Sequence, residues 1–118
     1  MTPESLAHSH CVPRKGREHA LDDAEIARLL GMLPGWTLDA GRGQIEKSFA
    51  FDDFHRTMAF VNAVAFLAHR EDHHPALAVH YGSCAVRFNT HDVGGLSATD
   101  FDCAAAVDAL LPTHTPSP

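Results

Sequence analysis

The chain has 118 residues, 45% hydrophobic and 20% charged, the balance of one ordinary globular domain and not of a disordered chain. Nine Lys and Arg against fifteen Asp and Glu give a formal charge of −6, which argues against a nucleic-acid partner, because duplex binding draws on Lys and Arg that neutralise phosphates. No apolar run is long enough to span a membrane, and the polar first twenty residues lack the apolar stretch of a secretory signal.

Residues 1–20 read as a loose arm, with Pro3, Pro13 and Gly16, scattered charges and no periodicity. A single domain is expected over 21–111. Its first helix should run from Asp22 to Met32, with Asp22, Asp23 and Glu25 at the positive end of the dipole and Leu21, Ile26, Leu29, Leu30 and Leu33 on one side. Pro34-Gly35 ends it. Trp36–Asp39 and Gln44–Phe51 then read as a hairpin of two strands around an Ala-Gly-Arg-Gly turn.

Asp52 or Asp53 can cap a long helix over Asp53–Arg70. Phe54, Met58, Val61, Ala65 and Ala68 form one apolar stripe on it, expected to cover the sheet; Phe60, Val64 and Leu67 form a second. The two together read as a well-buried central helix or as a subunit interface: left facing water, the second stripe would favour self-association, as a homodimer or homotetramer. Leu77–Tyr81 and Cys84–Asn89 read as a second hairpin around Gly82-Ser83, and Ser97-Ala98-Thr99-Asp100 has the form of a capping box opening a last helix that ends near Leu111. Three prolines in 112–118 make that stretch a flexible tail. The order α-β-β-α-β-β-α implies an α+β domain, a four-stranded antiparallel sheet with helices on one face.

Cys11, Cys84 and Cys103 are odd in number and lack paired short spacing, so they read as reduced thiols in a cytoplasmic protein. Histidine is the unusual residue: there are ten, more than Lys and Arg together, and His55, His69, His73, His74, His80 and His91 lie in the middle of the chain. Imidazole titrates near neutrality and so suits proton transfer or metal binding. His69 and His73 at i, i+4, with His91 or Cys84, could supply a zinc site, but no HExxH or CxxC is present and no metal is expected.

His73-His74-Pro75 places two imidazoles at a helix-to-strand corner. Proline holds His74 extended, and His73 falls at the negative end of the helix dipole. Such a pair can act as acid and base. His91 follows a strand and precedes Gly94-Gly95, where backbone can approach a ligand closely. Asp100 can orient a histidine or cap its own helix.

His73-His74-Pro75 followed by Tyr81, His91 and Asp100 at these intervals, with Gly35-Trp36 and Phe51-Asp52-Asp53-Phe54 upstream, resembles the pterin-4a-carbinolamine dehydratases over Leu21–Leu111. The resemblance implies the same α+β fold and an activity that removes water from 4a-hydroxytetrahydropterin to give quinonoid dihydropterin, in recycling of a tetrahydrobiopterin-type cofactor. It implies no metal or organic cofactor. It makes His73 and His91 general acids, one toward each face of the pterin, and His74 the base and substrate anchor; Asp72, Asn89, Thr90, Asp92 and Asp100 are then substrate-binding residues. His69 stands where family members often carry a glutamate, and Ala76-Leu77-Ala78-Val79 replaces a usual Glu-Trp-aromatic-Asn run. Some relatives work without catalysis, as a transcriptional coactivator or a Rubisco assembly factor, so the alternative is a helper that binds another protein.

Overall fold

The computed structural model describes residues 20–39, 41–90 and 95–111, so the expected arm (but for Ala20) and tail lie outside the described residues. Helix α1 spans Asp23–Leu30, capped by the Asp22 carboxylate, which accepts the Glu25 N–H at 2.8 Å. Strands β1 (Thr37–Asp39) and β2 (Gln44–Ala50) follow, then helix α2 (Phe54–Glu71), strands β3 (Ala76–His80) and β4 (Ser83–Phe88), and helix α3 (Ala98–Asp108). The predicted order holds, with ends shifted by a residue or a few. The strands form one antiparallel sheet in the order β1-β2-β4-β3, so the two hairpins meet along β2 and β4.

Register decides which side chains form the core. Ile45 pairs with Phe88 and Phe49 with Cys84, so Ile45, Phe49, Cys84, Val86 and Phe88 share the covered face and are all buried. Lys47 lies on the same face but reaches past the core edge: its ammonium donates to Asp108 Oδ1 at 2.9 Å and to the Pro34 carbonyl at 3.2 Å. The other oxygen of Asp108 accepts the Trp36 indole N–H at 3.0 Å, which ties the end of α3 to the first hairpin. Trp36 packs against Phe49 and Phe88 with ring centroids 6.2 and 6.1 Å apart. Gly35, at φ 89°, makes this approach possible, because a Cβ there would stand 2.9 Å from Lys47 Cε.

Helix α2 corrects the predicted choice of stripe. Phe60, Val64 and Leu67 are 5%, 1% and 5% exposed and belong to the core, whereas Phe54 is 48% exposed. The physical reason is continuity. Thr57, Phe60, Val64, Leu67, Ala68 and Glu71 run the full length of the helix on one side and are all buried. Thr57 lies on that side too, its hydroxyl shared between the Tyr81 carbonyl at 2.9 Å and the Asp53 carbonyl at 3.0 Å. Phe54, in the first turn, instead stacks on exposed Tyr81. The argument for self-association through Phe60, Val64 and Leu67 therefore falls.

Cys84 is free and buried, and burial pushes its thiol pKa up. Cys103 is disulfide-bonded, which overturns the expectation of a reduced thiol there: sequence spacing says nothing of pairing in space. The cysteine count then carries no argument about compartment. No described helix is long and apolar enough to cross a membrane.

Candidate active site

Three chain segments converge at one end of the sheet: the C-terminus of α2, the residues after β4 and the N-terminus of α3. Helix α2 stops in a Schellman turn. Asp72 takes the left-handed conformation at φ 52° and ψ 42°, and the His73 N–H donates to the Ala68 carbonyl at 3.1 Å. That turn reverses the backbone and carries His73 back over the core. A glycine would adopt it without strain. Asp72 is the one non-glycine with positive φ among the described residues, and such strain gathers at functional positions.

His73 is held from two sides. Its ring lies on Phe88, centroids 5.7 Å apart and planes 11° from parallel, and its Nε2 is 2.7 Å from Asp100 Oδ1. The His73 side chain is 11% exposed and that of Asp100 is fully buried. The second oxygen, Oδ2, accepts the Thr90 hydroxyl at 2.7 Å and the Ser97 N–H at 3.0 Å. A carboxylate has only lone pairs to offer, so Nε2 carries the proton toward Asp100 and Nδ1 is the ring nitrogen left for exchange. Asp100 also lies in the first turn of α3, where the helix dipole favours an anion.

The expected site residues separate accordingly. His73 and His74 adjoin at the corner, His73 mostly enclosed and His74 exposed, as Pro75 leads the chain into β3. Asp72 is exposed beside them and Asn89 is half-buried after β4. Thr90 and Asp100, expected on the substrate side, are 6% and 0% exposed and lie behind His73 with their polar atoms engaged. His91 and Asp92 lie outside the described residues. His69 is exposed on the last turn of α2, and its carbonyl accepts the Asp72 N–H at 3.4 Å. Sequence reasoning missed Ser97 and Phe88. Of the two readings offered for Asp100, orienting a histidine or capping its helix, both hold: it closes the capping box with Ser97, and the histidine it faces is His73, 27 residues away.

Residues 19–110 match the family model described as pterin 4 alpha carbinolamine dehydratase. A Stenotrophomonas maltophilia protein, named provisionally as a pterin-4-alpha-carbinolamine dehydratase, is 57% identical over 89% of this chain and 90% of its own length. A Xanthomonas campestris protein with the same provisional name is 55% identical over 90% of each. Among solved structures, a transcriptional coactivator/pterin dehydratase from Brucella melitensis superposes with a TM-score of 0.73 at 32% identity, covering 76% of this chain and 96% of that one. A pterin dehydratase-like Rubisco assembly factor of the alpha-carboxysome superposes with a TM-score of 0.56 at 26% identity, covering 64% and 88%. With its fold, its histidine corner and a family match that spans the whole domain, the chain belongs to the pterin-4-alpha-carbinolamine dehydratase family.

Proposed function

We propose that the protein dehydrates 4a-hydroxytetrahydropterin to quinonoid dihydropterin, and so serves to recycle a tetrahydrobiopterin-type cofactor. The observation that carries this reading is the grip of buried Asp100 on His73 Nε2, which leaves Nδ1 as a proton donor and acceptor beside His74. In the reaction the C4a–oxygen bond breaks. A proton is delivered to the departing hydroxyl, which leaves as water, and a proton is taken from a ring nitrogen. Protonated His73 supplies the first from Nδ1, with Asp100 stabilising the imidazolium; exposed His74 takes the second. By the family resemblance His91 serves the opposite face of the pterin, with Asp72, Asn89 and Asp92 lining it.

The rival reading is a protein-binding helper like the carboxysome relative. The lower structural likeness to that relative than to the Brucella protein counts against the carboxysome role; the other helper role is that of a transcriptional coactivator, which the Brucella protein's name joins to dehydratase. The test is the rate of quinonoid dihydropterin formation from enzymatically generated 4a-carbinolamine. His74→Ala should lower that rate more than roughly tenfold, with the melting temperature unchanged, because an exposed corner residue carries little packing. Full activity in His74→Ala would remove its assignment as the base. A wild type that folds but does not turn over would favour the helper.

A further inference from the structure

We propose that Thr90 is a positioning residue, whose buried hydroxyl fixes the tautomer and orientation of His73 through Asp100. This rests on the dehydratase reading for its kinetic consequence, but not for its geometry.

The hydrogen bonds run in one direction. Thr90 has a single hydroxyl proton, and it goes to Asp100 Oδ2 at 2.7 Å. The contact between Thr90 Oγ1 and Ser97 Oγ at 2.9 Å therefore has Ser97 as donor. Ser97 thus donates to Thr90, Thr90 to Asp100, and His73 Nε2–H to the other carboxylate oxygen at 2.7 Å. Thr90 is itself held by its backbone, since its N–H donates to the Gly95 carbonyl at 2.9 Å. No buried side-chain nitrogen or oxygen among the described residues lacks a partner, so removing one donor from this chain leaves a void in it.

Without the Thr90 hydroxyl, Asp100 Oδ2 keeps only the Ser97 N–H, and the carboxylate is free to rotate about its χ2 toward other partners. The Nε2–H of His73 then loses its fixed acceptor. The neutral ring samples both tautomers, and Nδ1 is no longer the only nitrogen available. A group displaced in this way loses rate out of proportion to its small movement.

The experiment uses full-length Thr90→Val and Thr90→Ser, with 15N-labelled histidine observed by NMR and dehydration kinetics measured alongside. In the wild type the neutral His73 ring should show one tautomer, protonated at Nε2, with slow exchange of that proton. Thr90→Val should show a mixture and fast exchange, and kcat should fall roughly tenfold with KM little changed. Thr90→Ser, which keeps the hydroxyl, should restore both. A Thr90→Val protein with the wild-type Nε2–H signal overturns the proposal, as does a Thr90→Ser protein that folds but is not rescued. The NMR result decides the positioning claim even if no turnover is found, which separates its failure from that of the dehydratase reading. If Thr90→Val does not fold, Thr90→Ala carries the test: exchange of the Nε2 proton should quicken, and unchanged exchange overturns the proposal.

Discussion

Val64→Glu is expected to leave the chain unfolded. Val64 is 1% exposed, at the middle of the one side of α2 that packs on the sheet. An ionised carboxylate there would lose its hydration with no cation placed to receive it, at a cost of at least several kcal/mol. A domain of this size has a net stability of about 5–15 kcal/mol, and the lost valine packing adds to the deficit. Circular dichroism with a urea titration should therefore show no cooperative transition, or a midpoint far below the wild type. Phe66→Glu is the matched control. Phe66 is 67% exposed, away from the core side, so its variant should fold with a nearly unchanged midpoint. A Val64→Glu protein that melts like the wild type would mean that α2 is rotated from the orientation described above.

The second large effect falls on Asp100. In Asp100→Ala, the Thr90 hydroxyl, the Ser97 N–H and His73 Nε2–H all lose their acceptor at once. Buried donors left alone cost about 1–3 kcal/mol each, so for these three a loss of about 3–9 kcal/mol is expected, read from denaturant midpoints. Dehydration should fall more than about tenfold even at temperatures where the variant is folded, since general acid–base catalysis is the contribution removed. Asp100→Asn gives a sharper result because it keeps the volume. Its amide oxygen can face Thr90 and Ser97, but then its NH2 group faces His73 Nε2. Two donors cannot meet, so the neutral imidazole should move its proton to Nδ1 and accept at Nε2. The 15N spectrum would show the tautomer inverted, and turnover should drop while the fold persists. An Asp100→Asn enzyme with normal kinetics would remove Asp100 from the mechanism.

Much of this architecture could be read from local chemistry. Pro34-Gly35 and Gly82-Ser83 mark turns, Asp53 caps α2 by accepting the Arg56 N–H at 2.8 Å, and Ser97 with Asp100 opens α3. Each of these signals acts within a few residues, so each survives in the linear string. The side of α2 that meets the sheet did not. Two apolar stripes offered comparable hydrophobicity, and the choice between them lies in packing against Phe49, Val86 and Phe101, side chains distant in the sequence. The candidate site divides along the same line. His73 and His74 announce themselves by type and by Pro75. The burial of Asp100, its bond to His73 and the stacking of that ring on Phe88 arise only when β4 and α3 pack beside the end of α2. The capping signature brought Asp100 to notice and the family resemblance Thr90; the fold places both behind the imidazole.

The tie from Trp36 to Asp108 gives the molecule a built-in optical probe. Trp36 is the sole tryptophan in the sequence, it is 5% exposed, and its indole N–H is bonded to the last residue of α3. Its ring also touches Phe88, the same side chain on which His73 rests. Its emission therefore reports one event, the seating of α3 and the first hairpin against the floor of the histidine corner, and not an average over scattered positions. Stopped-flow fluorescence on the unlabelled chain would time that seating directly. Variants that loosen the corner without unfolding the domain would be distinguished by a shifted emission maximum at unchanged helical content.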